Sequence, residues 1–205
     1  MKEIIVGTAN PAKVEKVRHA LSGLGVSVKG LEGEIEPGFV VEETGKTALE
    51  NARIKALTYS RKIGKPVLSS DSAVYIDGLS DDKQPGTKVR RIKGREGGAT
   101  DEELLEYFSE IVTELGGKAT SRVEDGVCIA TPAGEHYDTT IVSRRILTSN
   151  PSAVRKKGHP LDSLQVDPKT GKYFSEMTDE EKDEMWERLI GKKLAVFVKE
   201  TLPKL

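Results

Sequence analysis

Glu3-Ile4-Ile5-Val6-Gly7-Thr8-Ala9-Asn10-Pro11-Ala12-Lys13-Val14 is the stretch that decides the fold class. Ile4-Ile5-Val6 is a short apolar run of the kind a buried strand gives. It stops at Gly7, and Asn10-Pro11 is an N-cap followed by proline at the first helical position. Val14, Val17, Leu21 and Leu24 then recur at steps of three and four, which puts one apolar face on a helix that Gly25 ends. Val26 and Val28 supply the next strand. A strand, a turn and a helix in this order open an α/β fold.

Downstream, the Gly- and Glu-rich stretch 30–38 predicts an exposed loop before Phe39-Val40-Val41. Thr47-Ala48-Leu49-Glu50 has the capping-box pattern and predicts a helix through about Lys62. Pro66-Val67-Leu68 predicts one strand and Ala73-Val74-Tyr75-Ile76 another, while the Gly-, Pro- and charge-rich 78–99 predicts loop. Thr100 with Glu103 repeats the capping box, before an amphipathic helix carrying Leu104, Leu105, Phe108, Ile111, Val112 and Leu115 and closed by Gly116-Gly117. Val127-Cys128-Ile129-Ala130 and Thr139-Thr140-Ile141-Val142 flank a polar turn and predict a hairpin. Thr178 with Glu181 opens a last helix, with Gly191 a candidate kink before 194–198, which fits helix or strand. The expectation is a mixed β-sheet with flanking helices, folded as a single domain over 1–205 with no internal repeat.

Composition sets the exclusions. The chain has 205 residues, with 32 Lys and Arg against 33 Asp and Glu and a net charge of −1. That balance argues against a wholesale nucleic-acid coat, although it leaves room for a local basic patch. Aromatics at 5% argue against broad base-stacking platforms. No apolar run approaches the roughly 20 residues a bilayer span requires, and 2–7 enters a strand with no signal-peptide pattern. The single cysteine, Cys128, excludes a disulfide framework within the chain and suits a cytoplasmic location.

Chemistry is concentrated in a few places. The turn Thr8, Ala9, Asn10, Pro11, Ala12 and Lys13 combines helix N-terminal N–H groups, the positive dipole end and a lysine, all of which attract phosphate; the same residues also serve as a plain cap. Gly45-Lys46-Thr47 lacks the glycine spacing of a Walker A loop, and Thr47 is explained as a capping residue. Glu42-Glu43 and, on the strand side, Asp71 in Ser69-Ser70-Asp71-Ser72 offer hard oxygen ligands for Mg²⁺ if they converge. Asp71 would then also orient or deprotonate an attacking water. Paired carboxylates are equally common as surface decoration, and the charged run from Glu180 to Arg188 as a solvated helix face. His19 and His136 show no partner pattern for a histidine metal site or a Ser-His-Asp triad.

The order of these motifs carries more than each alone. Gly7-Thr8-Ala9-Asn10-Pro11-Ala12-Lys13-Val14, Glu43-Thr44-Gly45-Lys46-Thr47, Glu50-Asn51-Ala52-Arg53-Ile54-Lys55-Ala56 and Ser70-Asp71-Ser72 together resemble the Ham1/inosine triphosphatase family. The resemblance continues through Ile76-Asp77-Gly78-Leu79, Pro85-Gly86, Arg91, Asp167-Pro168, Phe174-Ser175-Glu176-Met177 and Glu180-Glu181-Lys182. It implies an elongated, two-lobed α/β fold around a central nucleotide cleft. The implied activity is Mg²⁺-dependent hydrolysis of non-standard purine nucleoside triphosphates (ITP, dITP, XTP) to a monophosphate and pyrophosphate, by a homodimer. By motif position, 8–13 and Lys55 would hold phosphate, Glu42 or Glu43 with Asp71 the metal, and Asp71 the water. Ser72 would touch the nucleotide, and Lys182 and Arg188 its phosphate or base.

This chain departs from the family pattern at the base. The usual Gly-Phe-Gly-Tyr-Asp-Pro is Gly158-His159-Pro160-Leu161-Asp162-Ser163, and the usual Ser-His-Arg is Trp186-Glu187-Arg188. Asp-Asp-Ser-Gly becomes Ser70-Asp71-Ser72-Ala73. Three expectations follow: the reaction on non-standard purines, the same reaction on another modified purine or a pyrimidine, or nucleotide binding with little turnover.

Overall fold

The computed structural model describes residues 2–92 and 98–205, so the 93–97 part of the loop expected at 78–99 lies outside the described residues. Its main elements are β1 (Glu3–Val6), α1 (Pro11–Ala20), β2 (Ser27–Lys29), α2 (Ala48–Ile63), β3 (Val67–Ile76), α3 (Asp101–Glu114), β4 (Lys118–Ala130), β5 (His136–Thr148), β6 (Gln165–Val166), α4 (Asp179–Trp186) and α5 (Lys192–Thr201). The six strands lie in one sheet in the order β2-β1-β3-β4-β5-β6. β1 is parallel to both β2 and β3, and β5 is antiparallel to β6. The sheet is therefore mixed and carries helices, as the sequence predicts.

Three of the strands are longer than expected. Ser69-Ser70-Asp71-Ser72 does not separate two strands; β3 runs through it without a break. β4 and β5 likewise extend well past the apolar segments 127–130 and 139–142, and are joined at 131–135, where the Thr131 N–H donates to the Glu135 carbonyl at 2.8 Å. In each case charged or hydroxyl side chains fill the exposed positions of a strand, so the apolar run is interrupted while the ladder is not. The ambiguous 194–198 stretch is helical, and Gly191 ends a π-helical turn, Glu187–Gly191, between α4 and α5.

The chain divides into two compact units. The first runs to Ser72 and adds Glu124–Val142 and Met185–Leu205. Its core gathers Ile4, Val6, Val14, Val17, Leu68, Ile129, Leu194 and Val198, so the apolar face of α1 and that of α5 meet the same strands. Cys128, buried with Ala52, Ala56 and Ala130, has its thiol pushed up to about 12 by desolvation. The second unit is Ala73–Val123 with Ser143–Glu184, built around Ile76, Leu104, Phe108, Val112, Leu147 and Leu164.

Helix α2 is fixed at its N-terminus from three directions. Thr47 accepts from the Glu50 N–H at 3.1 Å and Glu50 accepts from the Thr47 N–H at 3.2 Å, which completes the capping box. Gly45 donates its N–H to Asn51 Oδ1 at 2.8 Å. On the strand side, Gly126 of β4 lies so close to the Ala48–Leu49 backbone that any side chain there would collide with it. This helix end carries much of the candidate site.

Candidate active site

The turn after β1 forms as its sequence dictates. Asn10 Oδ1 accepts from the Ala12 N–H at 3.0 Å, Pro11 occupies the first helical position, and Asn10 N–H donates to Thr8 Oγ1 at 3.2 Å. The Asn10 amide oxygen is thus engaged in capping, while the Ala9 N–H has no hydrogen bond among the described residues. Lys13 is exposed on the first turn of α1. A cavity of about 720 Å³ includes Thr8, Ala9 and Pro11 with Phe39 and Tyr59, but neither Asp71 nor Lys55.

Asp71 lies within β3, beyond the last pairing with β1, where Gly7 N–H donates to the Leu68 carbonyl at 2.8 Å. β1 ends before the level of Asp71, whose side chain is 19% exposed. In open α/β sheets, ligands gather at the carboxyl ends of parallel strands.

The carboxylate is held at both oxygens. Asn51 Nδ2 donates to Oδ2 at 3.0 Å, and Lys55 Nζ lies 3.3 Å from Oδ1. Lys55 also lies 2.9 Å from Glu43 Oε1, so one ammonium bridges two acids. Helical spacing brings this about: Asn51 and Lys55 are one turn apart on α2 and face the same way. Of the two glutamates considered as metal ligands, Glu43 joins the cluster, whereas Glu42 is exposed and makes no ion pair among the described residues. Ser72, next in β3, donates to Asp125 Oδ1 at 2.6 Å.

Asn51 and Asp125 were not marked as site residues in the sequence. Asn51 is 2% exposed, a buried amide in a helix that must be satisfied, and that burial is invisible to a motif. Its place one turn before Lys55 was the available signal.

In the first unit, Glu187 and Arg188 lie half-buried in the π-helical turn. One Glu187 carboxylate oxygen, Oε2, is buried without a hydrogen-bond partner among the described residues and packs against Gly191. Such π turns concentrate at functional sites.

The second unit holds the remaining candidates. Lys182 pairs with Asp162 at 2.8 Å, both about one-fifth exposed. Pro160 is buried and Leu161 packs on the unit's core, so His159 and Asp162 are the polar groups this stretch presents. Its start is pinned to α3: the Gly158 N–H donates to Asp101 Oδ2 at 2.6 Å, and Arg90 Nη2 reaches both Asp101 Oδ1 at 3.0 Å and the Gly158 carbonyl at 2.9 Å. The Gly158 N–H, and next the Arg90 guanidinium, hold the Asp101 carboxyl below its usual range.

Among the described residues, no three His, Cys, Asp or Glu side chains cluster as a metal site. Two converging carboxylates still meet the need of Mg²⁺, which commonly takes one or two protein carboxylates and completes its shell with water and phosphate oxygens. Lys55 Nζ, a cation seated on both Glu43 and Asp71, marks the place where positive charge is required.

The chain is similar to known proteins over nearly its whole length. A dITP/XTP pyrophosphatase of Halalkalibacterium halodurans is 33% identical over 191 residues, covering 92% of this chain and 94% of that protein. One of Bacillus subtilis is 29% identical over 194 residues, 92% of each. Among solved structures, a HAM1 protein from Coxiella burnetii superposes with a TM-score of 0.74 at 21% identity over the full length of both chains. A nucleoside-triphosphatase / dITP/XTP pyrophosphatase from Mycobacterium abscessus gives 0.68 at 25% identity, over 95% of this chain and 97% of that one. The Ham1 family model matches residues 4–193. The motif resemblance and the fold therefore agree, and the chain belongs to the Ham1 family.

Proposed function

We propose that the protein hydrolyses non-standard purine nucleoside triphosphates, ITP, dITP and XTP among them, to a nucleoside monophosphate and pyrophosphate, with Mg²⁺. The observation that carries this reading is the Glu43–Lys55–Asp71 cluster beside the end of β1. It combines a lysine and paired carboxylates next to a helix N-terminus, the set a triphosphate and its counter-ion need. The relatives named for dITP and XTP supply the substrate class.

In this reading Glu43, or its neighbour Glu42, and Asp71 would hold the metal, which would supply charge neutralisation at the phosphates and a more acidic water. The 8–13 turn receives phosphate oxygens through the Ala9 N–H, the α1 dipole and Lys13. Asp71 orients the attacking water and takes its proton. Water oxygen bonds to the α-phosphorus, the α–β anhydride breaks, and the electron pair leaves with pyrophosphate. Asn51 keeps the Asp71 carboxylate in one orientation while this happens. Ser72, His159, Asp162, Lys182, Glu187 and Arg188 complete nucleoside and base contacts, while Pro160 and Leu161, turned to the core, shape the stretch that carries His159 and Asp162. The enzyme works as a homodimer in the cytoplasm, where nucleoside triphosphates are made, and takes no nucleic acid.

Pyrophosphate release from ITP, XTP, dITP and the ordinary triphosphates tests this. ITP, dITP or XTP is expected to lead, and Asp71→Asn to lower kcat on the order of 10²-fold or more. Binding without turnover, indifferent to Asp71→Asn, overturns the enzymatic reading. A second reading keeps the reaction and changes the base. It is favoured by the buried Glu187 oxygen, unpartnered among the described residues, an acceptor that asks for an N–H donor. Turnover confined to another base in the same panel selects it.

A further inference from the structure

Lys55 is 13% exposed on its side chain, and its ammonium is shared between Glu43 Oε1 at 2.9 Å and Asp71 Oδ1 at 3.3 Å. The two acids depend on it unequally. Asp71 is separately anchored, since Asn51 donates to its other oxygen at 3.0 Å and is itself fixed by the Gly45 N–H at 2.8 Å. Glu43 is 45% exposed and has no other partner than Lys55 among the described residues. Two carboxylates brought together without a cation repel, and the site would open. With Lys55 in place, the cluster carries one net negative charge and is already assembled.

We propose that Lys55 is a built-in counter-cation: it holds Glu43 against Asp71 in the substrate-free enzyme and is the group that an incoming divalent ion displaces from them. This rests on the metal-dependent reading above and adds a consequence to it. A divalent ion must compete with a tethered ammonium already on both acids, so metal alone binds weakly. When a polyphosphate arrives, the displaced ammonium gains an anionic partner, and the competition is relieved. Metal and polyphosphate then strengthen each other's binding, and by linkage the strengthening is equal in both directions. Lys55 is in this sense a positioning residue for the carboxylates as well as a cation available to the substrate.

The test uses the full chain without nucleotide and titrates Mn²⁺ alone, reading free ion by electron paramagnetic resonance. Lys55→Gln and Lys55→Met remove the charge and are expected to bind Mn²⁺ roughly tenfold more tightly than the parent, the size expected for losing one nearby unit charge in a partly solvated site. Lys55→Arg keeps the charge and is expected to stay within about twofold of the parent, by the same electrostatic argument. In EDTA the two neutral variants should melt below the parent and regain that difference when Mn²⁺ is added. Unchanged or weaker Mn²⁺ binding in both neutral variants overturns the inference, as does tightening in Lys55→Arg of equal size. If the parent releases pyrophosphate from the nucleotide panel while these variants show no tightening, only the counter-cation role fails. If the parent neither binds Mn²⁺ nor releases pyrophosphate, the underlying reading fails with it.

Discussion

Asn51 joins three parts of the site through one side chain. Its oxygen accepts from Gly45 and its nitrogen donates to Asp71, while the residue is 2% exposed. Replacing it with alanine strands the Gly45 N–H and frees one Asp71 oxygen. Asn51→Ala should therefore cost about 1–3 kcal/mol in urea unfolding and also lower kcat, whereas a purely structural amide would leave kcat alone. Asp71 and the Glu42-Glu43 pair were legible in the sequence because charged residues beside apolar strand runs are conspicuous, whereas Lys55 was named only through the family resemblance. The choice of Glu43 was not legible, since it depends on which carboxylate reaches Lys55 across a loop. Asn51 was overlooked for a related reason: a polar residue in an amphipathic helix is ordinary until its burial is seen. In the stretch proposed to contact the base, the sequence singles out His159, Pro160, Leu161 and Asp162 alike and does not foretell that Leu161 turns to the core.

At the scale of elements, the N-terminal end of α2 is the fixed point of the first unit. Its capping box was readable from Thr47 and Glu50, as were those opening α3 and α4, because the motif is local and its two hydrogen bonds are reciprocal. The contact with Gly126 was not readable, because it joins residues far apart in the chain. Gly126→Ala places a methyl group against the Ala48–Leu49 backbone, which cannot move without breaking the cap. The expected cost is about 1–3 kcal/mol, seen as a lower thermal midpoint, together with a loss of turnover as Asn51 and Lys55 shift. A midpoint equal to that of the parent would show that the strand, not the helix, gives way. Strand lengths failed in the sequence for a separate reason. Ser69 and Ala73 are buried while Ser70 and Ser72 are exposed, so this part of β3 alternates burial without alternating hydrophobicity. A hydroxyl can occupy either face of a strand, and hydropathy alone then loses the period.

Across the whole molecule, the first unit is assembled from three separated chain segments and the second from two. Leu194 and Val198 of α5 are 3% and 0% exposed in the core that also holds Ile4, Val6 and Val17 of the opening strand and helix. A chain ending at Glu184 would leave that core open over several strands. It should lose cooperative unfolding by circular dichroism, and a retained sharp transition would mean that α5 is dispensable to the core. The alternating order of strands and helices was legible from the opening residues; which segments make up each unit was not, because that is set by which distant segments share a core.

This interleaving bears on how the protein emerges from the ribosome. Every residue of the Glu43–Lys55–Asp71 cluster lies before the first passage between units, at Ser72, and is synthesised early. The apolar face that α5 covers stays exposed until the segment beginning at Met185 has been made. Through that stretch of translation, then, the nascent chain carries the residues of this charged cluster together with apolar surface still waiting for α5. That interval is when capture by a chaperone, or by another unfinished chain, would matter most.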